Sequence, residues 1–251
     1  MPAFALAWAA SGAIRAASLN LCTDEYLLLL APREEIASVS YLSGEPAETL
    51  LWRRASGIHR NRGTLESALP VRPNLILTMG GGGKATAVLA ARLGMRVVDV
   101  PYPTSVEDVR AQAIRVARAL GAPDRARPLL AALDRLEAAR PAKLVDAAFL
   151  SGRGDSVAPD SLGARWLALA GYRQRALSNG RISLELLATD PPKWLIRSAY
   201  RGGQWSRGQA WLDHPLVRRL SARTLSTDGR AWTCGGLPMI AEIERLRRLP
   251  H

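Results

Sequence analysis

An α/β fold built as two similar lobes with mainly parallel sheets is the class that this sequence predicts, on three observations. A short pattern occurs twice, 119 residues apart. The first copy is Thr64-Leu65-Glu66-Ser67-Ala68-Leu69, then Pro73 and Leu75-Ile76-Leu77; the second is Ser183-Leu184-Glu185-Leu186-Leu187, then Pro192 and Trp194-Leu195-Ile196. Short apolar runs of strand length alternate with stretches of helical period, the order that builds parallel sheets. Between Ser105 and Arg140, roughly 30 residues repeat only at helical spacing and separate the two strand-rich halves. The expected layout is an N-terminal arm or signal remnant over 1–15, a first lobe over 16–104, a connecting spine helix over 105–141 and a second lobe over 142–251. A ligand cleft is expected between the lobes.

Each element has its own warrant. Ala16 to Asn20 reads as a first strand and Thr23-Asp24-Glu25 as a helix start, with Tyr26 to Leu30 as the buried face. Ile36 to Tyr41 is a second strand. In the repeated pattern a hydroxyl two residues before an acid suits a helix N-terminus, where both groups satisfy free backbone N–H groups. The proline seven residues after each glutamate ends the helix and leads into a strand. Leu75 to Thr78 is the third strand and runs into Gly80-Gly81-Gly82-Gly83-Lys84. Val88 to Leu93 is helical up to Gly94, Met95 to Val100 is a strand, and Pro101 and Pro103 stop it. In the spine, Val106, Val109, Ala113, Ala117 and Leu120 lie on one face, and Leu129, Leu133 and Leu136 continue it past a kink at Gly121-Ala122-Pro123. The second lobe follows with a strand at Leu144 to Leu150, a helix at Ala164 to Ala170, strands at Trp194 to Arg197 and Arg223 to Ser226, and a terminal helix from Pro238 to Leu249.

The composition excludes several classes. No stretch is long and apolar enough to span a membrane as a helix, which needs about 20 residues. The net charge of +12 comes from arginines scattered along the chain without runs, and no nucleic-acid motif accompanies them. A basic cleft for an anionic ligand is compatible with the same charge. Phe4 to Ala10 is a short apolar stretch followed by small residues, as before a secretory cleavage site, but the usual positive charge ahead of it is missing.

The glycine run fails as a nucleotide site. Met79 stands where a P-loop needs its first glycine and Ala85 where it needs a hydroxyl. Cys22 and Cys234 have three readings that the residues leave open: a disulfide, a contact to a ligand or soft metal, or two buried small apolar side chains. No Gly-x-Ser-x-Gly elbow occurs, and His59, His214 and His251 lack metal-site spacing, so no enzyme and no cofactor are expected; the lesser alternative is a small-molecule enzyme using the inter-lobe cleft, with Cys22 or Cys234 near His59.

The Ser18-Leu-Asn-Leu-Cys-Thr-Asp24 opening, a glutamate–proline–strand unit in each half, a helical spine and a closing Trp232-Thr-Cys-Gly-Gly236 together resemble the periplasmic substrate-binding proteins of ABC importers. The branch is the one that carries ferric siderophores, haem and cobalamin, and the likeness covers roughly residues 15–249. It implies an exported, periplasmic monomer that captures an iron chelate and delivers it to a dimeric permease with its ATPase. Haem or cobalamin is the alternative ligand; Arg60, Met79 and Asn179 stand where cobalamin carriers use aromatics, which argues against the latter. The resemblance implies that Glu66 and Glu185 dock on permease arginines. It also implies that Cys22, His59, Arg60, Arg62, Gly80, Gly81, Gly82, Lys84, Trp205, Trp232 and Cys234 face the ligand. Arg60 and Arg62 suit carboxylate or catecholate oxygens through the guanidinium fork. Trp205 and Trp232, read as loop residues, offer flat surfaces to a ligand ring.

Overall fold

The computed structural model describes residues 13–81, 84–200, 210, 213–220 and 224–249. Gly82 and Trp205 lie outside the described residues, as does the apolar stretch at the N-terminus. Internal contacts divide the chain into two compact units. One runs to Tyr102 and adds Arg110–Arg127; the other is Pro103–Val109 with the chain from Pro128 onward.

The first unit holds a five-stranded sheet, ordered β3-β2-β1-β4-β5, in which every pair is parallel. Its strands are β1 (Ala16–Ser18), β2 (Ile36–Ser40), β3 (His59–Asn61), β4 (Leu75–Met79) and β5 (Arg96–Val100). All five residues of β4 are buried, as expected of a central parallel strand covered on both faces. Leu75, Ile76 and Leu77 are each fully buried, and each contributes about 1.5–3 kcal/mol by leaving water. Helix α1 (Leu21–Leu30) starts two residues earlier than the sequence suggests, because the Asn20 side chain caps it by accepting from the Thr23 N–H at 2.9 Å. That shift buries Asp24 and Glu25 along with Tyr26, Leu27 and Leu28. Short α2 (Leu65–Ala68) precedes β4, and α3 (Lys84–Arg92) precedes β5.

The segment 105–141 forms two helices and not one. They are α4 (Val106–Ala119) and α5 (Arg127–Ala138), parted by a 3-10 turn at Pro123–Ala126. The turn lies where Gly121 and Pro123 interrupt the helical period, Gly121 being at φ +71°. Within the first unit, Gln112 of α4 accepts from the Tyr26 hydroxyl at 2.8 Å and donates to the Pro101 carbonyl at 2.8 Å.

The second unit repeats the scheme with four parallel strands ordered β7-β6-β8-β9. These are β6 (Val145–Leu150), β7 (Tyr172–Gln174), β8 (Trp194–Ser198) and β9 (Thr224–Thr227). Around them are α6 (Leu162–Leu169), α7 (Leu184–Thr189), α8 (Pro215–Arg219), α9 (Gly229–Cys234) and α10 (Met239–Arg247). Arg175 ties the edge of this sheet together, donating to Asp146 at 2.6 Å and to Asp190 at 3.0 Å. Edge strands β3 and β7 escape the hydrophobic pattern: they have three residues each, mostly polar, and one neighbour strand apiece.

Candidate functional site

In the second unit the strand order reverses between β6 and β8, the place where open parallel sheets form crevices beyond the carboxyl ends of their strands. A pocket of about 700 Å³ lies there. Ser151 follows β6, Ser198 and Tyr200 close β8, and Gly229, Trp232 and Cys234 come from α9, all on its lining. Phe149 and Trp232 pack with ring centroids 4.6 Å apart and planes tilted by 45°. Trp166 is fully buried and also borders the pocket, its indole N–H donating to the Gly235 carbonyl at 2.9 Å. Among the described residues, the lining holds one acid, Asp160, and no lysine or arginine, in a chain of net charge +12.

The Trp232 ring is held from behind. Its indole N–H donates to Thr227 Oγ1 at 2.7 Å, and the same hydroxyl donates to Glu242. Glu242 is buried, accepts from the Asp228 N–H at 3.2 Å and meets Arg245 at 2.7 Å. A tryptophan oriented through a satisfied polar chain presents a fixed face, which reduces the entropy lost when a ring stacks on it. Gly229 is required for close approach here. A Cβ on it would lie 2.5 Å from the Tyr200 nitrogen and 2.6 Å from Ser198 Oγ.

The site residues expected from sequence fall into different groups. Trp232 and Cys234 line this pocket. Both belong to a helix, α9, where the sequence suggests a loop for Trp232, because Asp228 caps that helix through the Arg230 N–H at 3.0 Å. Neither Cys22 nor Cys234 is a free thiol; both are disulfide-bonded, so no thiolate is offered to a metal or ligand. Cys22 is the second residue of α1.

In the first unit, His59 and Arg60 lie on edge strand β3 and are exposed, and Arg62 follows it. Arg60 packs over Gly44, its guanidinium 3.6 Å from Glu45. His59 Nε2 is 3.5 Å from the Ser67 carbonyl. Gly80 and Gly81 end β4 with φ of +80° and +75°. Their N–H groups are already used, by the Val100 carbonyl at 2.8 Å and by Asp99 Oδ2 at 3.0 Å. The loop as described therefore aims neither amide at a ligand phosphate. Lys84 opens α3 and is exposed. Among the described residues, no group of three or more His, Cys, Asp or Glu could hold a metal ion.

Glu66 and Glu185 sit in the first turns of α2 and α7, and both are exposed. The two starts match in detail: Thr64 Oγ1 accepts from the Ser67 N–H at 3.3 Å, and Ser183 Oγ from the Leu186 N–H at 3.1 Å. The carboxyl of Glu185 is held below its ordinary pKa by its own backbone N–H and the Ser183 hydroxyl, so it stays ionised.

Sequence reasoning missed Phe149, Tyr200, Trp166, Ser151 and Ser198 as pocket residues. Phe149 reads as one more apolar residue of a strand, and only the strand order places it beside α9. Ser151 and Ser198 carried a usable signal, since both stand at the carboxyl end of a predicted parallel strand.

No family model matches the sequence, and no curated protein does. The fold, by contrast, has counterparts among solved structures. The periplasmic haem-binding protein HutB of Vibrio cholerae superposes with a TM-score of 0.71 at 19% identity, over 93% of this chain and 97% of that one. The siderophore-binding protein FhuD of Vibrio cholerae, solved with Fe3+–Desferal, gives 0.71 at 16% identity, over 94% and 96%. The periplasmic vitamin B12-binding protein BtuF of the same organism gives 0.65 at 15%, over 94% and 95%. At such identities the likeness establishes the fold: this chain has the α/β architecture of those two-lobed binding proteins. Equal scores against a haem carrier and a siderophore carrier mean that the fold leaves the ligand to be argued from the site.

Proposed function

We propose that this protein is the substrate-binding component of an ABC importer, exported to the periplasm, that captures an iron chelate and hands it to a membrane permease. The observation that carries this reading is the aromatic pocket at the β6–β8 switch point, in a fold shared along nearly the whole chain with haem-, siderophore- and vitamin B12-binding proteins. Phe149, Trp232 and Tyr200 supply flat apolar surface, while Ser151, Ser198 and Thr104 supply neutral hydrogen-bonding groups. Among the described residues the lining has no arginine or lysine, which favours a ligand face that carries no concentrated negative charge. A neutral ferric hydroxamate suits that lining better than a triscatecholate, whose charge would call for the guanidinium groups first expected of Arg60 and Arg62. Haem is a second reading, favoured specifically by the Phe149–Trp232 pair, which suits the face of a planar macrocycle.

Delivery is assigned to Glu66 and Glu185. Matching caps leave both carboxylates exposed, as acids that meet permease arginines must be. The decisive experiment titrates the purified protein with ferrioxamine B, a ferric triscatecholate, haemin and cyanocobalamin, following tryptophan fluorescence. Submicromolar binding of the hydroxamate or of haemin, weakened in W232A, is expected; no binding of any of the four would overturn the reading. For delivery, the double variant E66A/E185A should bind ligand normally yet lose uptake in cells. Undiminished uptake would leave both acids as helix caps.

A further inference from the structure

The second unit carries another cavity, of about 350 Å³, whose chemistry is opposite to that of the aromatic pocket. Arg140 after α5, Arg165 on α6 and Arg173 on β7 all line it. Elsewhere in this unit arginines engage carboxylates: Arg175 with Asp146, Arg230 with Asp228, Arg245 with Glu242 and Arg181 with Asp155. Among the described residues, the side chains of these three, all exposed, make no hydrogen bond or ion pair, although Arg173 lies close enough to Asp146 to help hold its carboxyl ionised. The one acid on the wall, Glu137, is occupied by an interaction of its own. Buried Tyr172 and Gln174 also border the cavity, with Leu144, Leu169 and Val106 as apolar wall. Burial pushes the Tyr172 phenol up to about 12, so it stays neutral and adds no negative charge.

Three exposed arginines drawn from three segments line one concave, partly apolar site, where like charges repel and guanidinium donors suit the oxygens of a planar oxyanion. We infer that this cavity binds a small multivalent oxyanion, a polycarboxylate or a phosphate ester, separately from the aromatic pocket. The inference does not rest on the importer reading, since it uses other residues and another ligand class. Arg140 also stands beyond the C-terminus of α5, where a cation complements the helix dipole, so Arg165 and Arg173 are the better probes.

The test is calorimetric titration of the whole chain with citrate and with pyrophosphate at fixed ionic strength, using sodium chloride as the control. Saturable binding of either oxyanion is expected, weakened at least tenfold in R165Q/R173Q, with ferrioxamine B or haemin affinity unchanged. Preference between the two separates a carboxylate from a phosphate ligand. Heat no greater than the chloride control, or equal binding by wild type and double variant, would overturn the inference. If the variant fails to fold, wild-type crystals soaked in selenate decide: anomalous density among the three guanidinium groups supports the site, and its absence rejects it.

Discussion

The two units solve the same architectural problem differently at the carboxyl ends of their strands. In the first unit, the last residues of β1, β2 and β3 are Ser18, Ser40 and Asn61, all buried. They satisfy one another and the start of α1. Ser18 Oγ pairs with Thr23 Oγ1 at 2.7 Å, Asn61 donates to the Ser18 carbonyl at 2.8 Å and to Ser38 Oγ at 2.9 Å, and Ser43 donates to Asp24 at 2.7 Å. In the second unit the corresponding ends, at Ser151 and Ser198, open onto the aromatic pocket. One parallel scaffold thus yields a closed polar plug or an open aromatic pocket. The choice depends on whether the side chains at the strand ends can pair among themselves.

The comparison can be broken most directly at Asn61. Its side chain also accepts from the exposed Gly63 N–H at 2.8 Å, so N61A leaves two buried groups, the Ser18 carbonyl and the Ser38 hydroxyl, without this partner. A loss of about 3–4 kcal/mol in urea unfolding is expected, and a loss under 1 would mean that the plug is not held by these bonds.

Titration should sharpen the contrast next. Burial pushes Asp24 up to about 6, and burial followed by the Asp24 charge pushes Glu25 well above its ordinary value. Glu25 Oε2 is buried without a hydrogen-bond partner. Both folded-state values exceed the unfolded ones, so the folded state binds more protons. The Asp24 contribution is whole below about pH 4 and is lost as pH rises through 6, by about 3 kcal/mol, and Glu25 adds a loss of the same sign. E25Q should gain on wild type from pH 4 to pH 8; parallel stability curves would contradict the assignment.

In the second unit, W232A should weaken ligand binding about 30-fold, near 2 kcal/mol, while S198A changes it little. An equal effect of the two would mean that the aromatic face is not what recognises the ligand. A smaller effect belongs to Gly80, where a Cβ would lie 2.2 Å from the Tyr102 ring at φ +80°. G80A should cost about 1–2 kcal/mol, measured by thermal unfolding. Smallest are the caps: T64A and S183A should each cost about 1 kcal/mol, and nearly equally, if the two helix starts are equivalent.

Local chemistry made much of this fold legible. The Thr64 and Ser183 helix starts, the buried β4 run, β5, β6 and the terminal helix all follow from periodicity, caps and prolines, which act within a few residues. The lobe-forming repeat of helix, proline and strand was readable for the same reason. Tertiary structure decided what depends on strand neighbours. Edge strands β3 and β7 are too short and polar to announce themselves, and Asp24 and Glu25 look like ordinary exposed helix-start acids until α1 is buried on nearly every side. Of the candidate site, Trp232 was foreseeable as an aromatic near the chain's end, although in the wrong kind of element. Phe149, Tyr200 and Trp166 were not, because the parallel order β7-β6-β8-β9 joins residues 149, 166, 200 and 232 across long crossovers. Sequence alone therefore determined most of the inner strands and the starts of α2 and α7, since these are short-range preferences. The site was decided by which strand lies beside which, a long-range packing outcome that no local pattern encodes.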